Sequence, residues 1–371
     1  MQGQQGFVLE NPSGKGTREK KGEGGGSKFE PQLIKMYRVK NKRLTLEDIG
    51  NVYGDQNMYR DITSDNCMMF EDLLSRLESS AANIVQVIRS GSQEISMTRT
   101  KLMDFKRFLA IMMFREHERR RQYAEDIFDP MTRMSIQRHM RFNNFTNIQD
   151  VWFENLKWIL KTPTKEITDI SVGFDKSENF SAAGLAYQGP IHWLELMDFS
   201  NLMRDYVCVW EAPEGTEFIL TDNCFGCYEG FIGIVFHTFF IVSPKYAVVL
   251  VNRLYMWHDL RDLRESWFID FHANPEATYS KKGATDPDPE DFTPDDVFKY
   301  RRILLPKQKV WLVNSIFLDA RQRHISHKSD AALYRSLLFY DKKKKVFFPN
   351  RHDYSDLKRK LFAEMNRTHN S

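Results

Sequence analysis

Cysteine is scarce: Cys67, Cys208, Cys224 and Cys227 are all that 371 residues contain. A disulfide scaffold is excluded at that density, and no disulfide-linked partner is expected. No apolar run reaches the eighteen or so residues that span a bilayer, so no membrane span is expected. The opening residues Met1 to Val8 hold no basic stretch ahead of an apolar one, so no export leader is expected either. These absences predict an intracellular, cytoplasmic protein, with the nucleus left open. Charge of one sign is missing as well. Fifty-three basic residues face 50 acidic ones, so any affinity for nucleic acid must come from a local patch. Phosphate-binding glycine loops, the nucleophile elbow and the His-Glu-x-x-His zinc motif are all absent.

Glycine is concentrated at one end, with eight of 19 before position 29. Residues 1–28 lack apolar periodicity and read as a disordered Gly/Lys-rich segment. Residues 29–341 read as one domain. Residues 273–296 are a polar insertion rich in proline and aspartate, expected to be mobile. Residues 342–371 read as a basic tail with a final helix.

Within the domain, helical spacing of apolar residues predicts a helix from Ser64 or Asp65 to Ile88, stopped by Gly91. Further helices are predicted over about 100–121, 131–142 and 148–161, the last ended by Pro163. The middle is richer in β-branched and aromatic residues. Strands are predicted at Ile191 to Asp198, Asp205 to Trp210, Glu217 to Thr221, Val235 to Val242 and Tyr246 to Asn252, with a turn at Cys224 to Gly226. Two later stretches, about Val310 to Ala320 and Leu333 to Leu338, return to helical spacing. The fold class expected is α+β: an N-terminal helical layer (about 60–162) on a mainly antiparallel central sheet (about 190–252), closed by C-terminal helices.

Four segments in fixed order, Phe70 to Glu78, Phe108 to Arg115, Glu217 to Asn223 and Phe240 to Pro244, resemble the uncharacterised family described as domain of unknown function 4238. The resemblance covers about residues 35–325 and is to the fungal-type members. It implies no established activity and no cofactor. Members of that family open with a His-x-Val-Pro segment that has no counterpart here.

Candidate chemistry centres on Thr221-Asp222-Asn223 at a predicted strand exit, where rigid scaffold meets solvent. Asp222 would act as a general base or as ligand to a divalent metal, Asn223 as an orienting amide and Lys245 as an anion holder. An Asx-turn ending the strand is the structural alternative. Cys224 and Cys227 have zinc-ligand spacing, but only His237 and Cys208 stand near to complete a site; free loop thiols are the alternative. His324 and His327 would share a face if helical and could then bind one metal ion, with a polar basic helix end as the alternative.

The basic clusters are Arg115 with Arg119, Arg120 and Arg121, then Arg133, Arg138 and Arg141, and then Lys342 to Lys345. Converging, they would neutralise phosphates, with Phe142 and Phe145 stacking bases. Offset by Glu116, Glu118 and Glu125, they are solvated helix faces. Three functions are therefore carried forward: a hydrolase of nucleic acid or another phosphorylated substrate, a nucleic-acid- or protein-binding module, and an inactive truncated copy.

Overall fold

The computed structural model describes residues 33–48, 69–92, 94–175, 180–231, 234–252, 266–271, 275–278, 293–320 and 323–369. The expected helix start at Ser64 or Asp65, the segment 1–28 and most of the 273–296 insertion lie outside them.

The chain opens with a hairpin, β1 (Leu33–Arg38) and β2 (Arg43–Asp48), which turns at Lys42 with φ 50°. α1 (Met69–Arg89) and β3 (Glu94–Thr98) lead into α2 (Arg99–Phe114). Phe108, Leu109, Ala110 and Ile111 are all buried, as their unbroken apolar run predicts, and α2 lies between other helices and the sheet. α3 (His117–Ala124), α4 (Pro130–Asn143), α5 (Ile148–Lys161), α6 (Thr164–Asp175), α7 (Phe180–Ala186) and α8 (Trp193–Arg204) complete the helical layer.

Local signals set several of these bounds. Asp129 caps α4 by accepting from the Met131 and Thr132 N–H groups, with Pro130 in the first turn, and Asn144 ends it at φ 57°. Asn147 and Asp150 form a reciprocal capping box at the start of α5.

The main sheet takes β4 (Tyr206–Glu211), β6 (Phe225–Phe231), β7 (Ile234–Ile241), β8 (Tyr246–Val251) and β10 (Val297–Leu304) in the order β3-β10-β4-β8-β7-β6. β9 (Glu276–Thr278) also pairs with β10. β10 pairs antiparallel with β3 along its first half and parallel with β4 along its second. The other described pairs are antiparallel. All six positions of β8 are buried, matching its continuous apolar reading.

A second sheet joins the chain's two ends. Its order is β2-β1-β11-β5, with β5 (Leu220–Thr221) and β11 (His324–His327), all antiparallel. α9 (Lys307–Asp319), α10 (Asp330–Phe347) and α11 (Ser355–His369) close the fold, which is α+β.

Five readings are corrected. Ile191 to Asp198 is not a strand but runs into α8; its Leu, Glu and Met residues favour helix, and Ile191 is its only β-branched residue. The helix expected over 100–121 breaks at Glu116, whose ψ of 148° is extended. The strand expected from Glu217 shrinks to two residues, because only Leu220 and Thr221 find a partner, in β11. The turn expected at Cys224 to Gly226 falls earlier, over residues 222–224, and Phe225 and Gly226 already belong to β6, with Gly226 at φ 100° against the Met113 side chain. His324 and His327 sit on a strand, not a helix, so an odd spacing places them on opposite faces. Lys342 to Lys345 lie in the last turns of α10. Among the described residues no helix is long and apolar enough to cross a membrane.

Candidate functional site

Thr221 ends β5, and its hydroxyl accepts the Asn223 N–H at 3.2 Å while its carbonyl accepts the Cys224 N–H at 3.1 Å. That local turn aims Asp222 at β11. Asp222 Oδ1 accepts the backbone N–H of Arg323 at 2.8 Å and of His324 at 3.0 Å, and Oδ2 accepts Arg323 Nε at 3.2 Å. The Asp222 side chain is only 7% exposed. Its carboxylate clamps the start of β11, a long-range contact rather than the local Asx-turn, and the local turn bond is made by the Thr221 hydroxyl instead. Asn223 is buried beside it.

Lys245 lies elsewhere, in the turn between β7 and β8. There Ser243 Oγ accepts the N–H groups of Lys245 and Tyr246. Lys245 Nζ stands 2.9 Å from Glu211 Oε1 and 5.5 Å from the Tyr246 ring centre. Lys245 and Asp222 thus engage different partners. Lys245 lines a cleft of about 540 Å³ with Glu211, Glu214, Glu217 and Lys328. Glu217, which sequence reasoning passed over, accepts the N–H groups of Lys328 and Ser329 at 3.0 Å each, at the start of α10. Burial pushes its carboxyl up to about 7 despite those donors.

Each arginine of the first basic cluster meets its own environment. Arg115 Nη1 pairs with Glu78 at 2.9 Å. Arg119 pairs with Glu195 at 2.8 Å and Asp198 at 3.0 Å, both carried on α8. Burial works against the Arg119 charge, but the two carboxylates hold its pKa above the ordinary arginine value. The Asp198 side chain is half exposed, whereas that of Glu195 is buried. Tyr123 OH donates to the second Glu195 oxygen at 2.5 Å. Arg121 pairs with Glu118 and Glu125 at 2.7 and 3.0 Å. Arg120 N–H continues the helix from the Glu116 carbonyl. Glu116 itself turns inward, accepting the Phe225 N–H at 3.2 Å, and burial pushes its carboxyl well up.

α4 presents two unlike faces. Inward, Ser135 Oγ accepts the Trp193 Nε1–H at 2.8 Å and lies 2.9 Å from His192 Nε2. Burial lowers both His139 and His192 to about 4, so they are neutral near pH 7. Outward, Met131, Met134, Arg138, Arg141 and Phe142 recur at helical spacing. Met131, Met134 and Phe142 are 61%, 50% and 48% exposed. Arg133 pairs with Asp126 at 3.1 Å, whereas Arg138 and Arg141 meet no carboxylate among the described residues. Phe145, the other candidate stacking ring, packs instead on His139 at 5.8 Å.

Cys208, Cys224 and Cys227 form no disulfide among the described residues, and burial pushes the thiols of Cys224 and Cys227 well up. His237 turns to Glu229, 2.8 Å from Nδ1, rather than to sulfur. Ser266 Oγ reaches the same nitrogen at 3.3 Å, so Ser266, His237 and Glu229 do not form a relay, which needs both ring nitrogens. Among the described residues no three His, Cys, Asp or Glu side chains are placed to hold one metal ion.

No curated protein and no solved structure matches this chain. A family model does, over residues 27–328, and its description is protein of unknown function. The match takes in the strands of both sheets, the α2–α3 break and the Asp222 clamp, and the chain belongs to that family, DUF4238.

Proposed function

We propose that the chain is a binding module for single-stranded nucleic acid and that α4 is its contact surface. One observation carries this reading: Arg138 and Arg141 stand on an exposed face with no carboxylate partner among the described residues, beside the half-exposed ring of Phe142. Guanidinium groups neutralise phosphates and a flat ring stacks a base, which together suit a strand whose bases are unpaired. Arg115, Arg119 and Arg121 contribute less, because phosphate would have to displace carboxylates already in place.

The test is fluorescence anisotropy of a labelled single strand titrated with the full chain across a salt series. Two phosphate contacts give a slope of about −1.4 in log affinity against log salt. Arg138→Glu with Arg141→Glu abolishes binding, and Phe142→Ala weakens it by about 1–3 kcal/mol. Affinity that ignores salt, or that survives the double variant, overturns the proposal.

A second reading, hydrolysis of a phosphorylated substrate, is favoured by Glu217 beside Lys245 in the cleft rather than by Asp222. A carboxyl held at about 7 exchanges a proton near neutral pH, as general acid–base work requires. It predicts a phosphatase or nuclease activity that Glu217→Gln removes while α4 binding stays intact.

A further inference from the structure

We infer that the outward face of α10, extended by Phe362 of α11, docks on an anionic bilayer surface. Arg335, Leu338, Lys342, Lys345 and Val346 are all exposed and recur at spacings that put them on one side of the helix. Val346 is 77% exposed and Leu338 47%, large values for aliphatic side chains on a folded helix. Phe362, 53% exposed, packs its ring 6.3 Å from that of Tyr334, one turn before Leu338, so the apolar strip continues across the two helices.

The lysines around that strip outnumber its carboxylates. The nearest carboxylates are already engaged: Asp341 pairs with Lys344 and Lys358, and Asp356 with Arg359 and Lys360. Lys342 and Lys345 meet no carboxylate among the described residues. Lys343 lies over the Phe347 ring at 5.3 Å. The surface is therefore a row of aliphatic and aromatic tips set among cations.

Each class of partner would use this surface differently. A peptide strand needs a sheet edge and a peptide helix needs a groove; a helix side with Val346 standing clear offers neither. A nucleic acid would use the lysines and gain nothing from Val346 or Leu338. A bilayer with acidic headgroups uses both, seating the apolar tips at the acyl boundary and the lysines among phosphates and carboxylates. The inference is independent of α4 and of the cleft.

The test is co-sedimentation of the full chain with two kinds of vesicle, phosphatidylcholine alone and phosphatidylcholine with phosphatidylserine. Binding is expected only to the second and is expected to weaken with salt. Lys342→Gln with Lys345→Gln should weaken it about 25-fold, at roughly fivefold per lysine. Val346→Ser with Phe362→Ser, which keeps every charge, should weaken it several-fold. All four side chains are exposed, and an unchanged melting temperature confirms that each variant folds. Equal sedimentation with both vesicles, or with neither, overturns the inference. So does loss of binding in the lysine variant alone, which marks a purely electrostatic surface; a labelled single strand that the lysine variant no longer binds would then identify nucleic acid as its partner.

Discussion

Two consecutive helices, α3 and α4, carry three arginines each and hold them in opposite ways. On α3, Arg121 meets Glu118 and Glu125 within its own turn, and Arg119 is drawn inward by Glu195 and Asp198 of α8. On α4 no acidic residue follows the capping Asp129, and among the described residues only Arg133 finds a carboxylate, Asp126. The same residue type is thus tied down by carboxylates in one helix and a solvent-facing cation in the next. What separates them is the carboxylates that other elements bring, not the arginines.

Removing one arginine from each helix tests that contrast most directly. Arg119→Ala leaves the buried Glu195 without its cation, while the half-exposed Asp198 keeps its contact with solvent, and should cost about 1.5–3 kcal/mol in urea unfolding. A cost below about 1 kcal/mol would show that the pair is no more than a surface bridge.

Glu217 extends the contrast to a buried carboxylate with no side-chain cation of its own. Its folded carboxyl stands at about 7, above the ordinary 4.5, so folding favours the protonated form. That contribution is complete below the unfolded value and is lost as pH rises through 7. Glu217→Gln removes the loss, so the variant should gain on the wild type by on the order of 2–3 kcal/mol between about pH 5 and pH 8. Parallel stability curves would refute the shift.

Asp222→Ala should cost about 2 kcal/mol by releasing the Arg323 and His324 N–H groups. A drop in some activity without a drop in stability would instead return Asp222 to a catalytic role. The smallest effect belongs to Arg138→Ala, expected within about 0.5 kcal/mol of wild type. A larger loss would mean that α4 has a partner within the chain after all.

The same distinction explains what could be read from the sequence. α4 and α5 were legible because their caps lie in the local order of residues: Asp129 before Pro130, Asn147 three before Asp150. β8 was legible from an unbroken apolar run. β10 and β11 were not, because each is a strand by virtue of distant partners: β10 between β3, β9 and β4, and β11 between β1 and β5. The candidate site divides likewise. Asp222 could be placed at a strand exit, but its occupancy by backbone 101 residues later could not. Arg119 could be paired in prospect with neighbours on its own helix, not with Asp198, 79 positions on. Glu116 looked like one more surface charge, since only the fold brings Phe225 to it.

The sheet that joins the two ends also sets an order of events during synthesis. β1 takes its partners from β2 and β11, and Lys35 meets Asp330 across 295 residues of chain. A ribosome adding about 5–20 residues per second needs roughly 15–60 s to cover that span. Through that interval β1 and β2 have only each other, and a lone two-stranded hairpin is marginal in water. The first strands to be made are therefore among the last to settle, and until β11 emerges the free edge of β1 is open to whatever strand it meets.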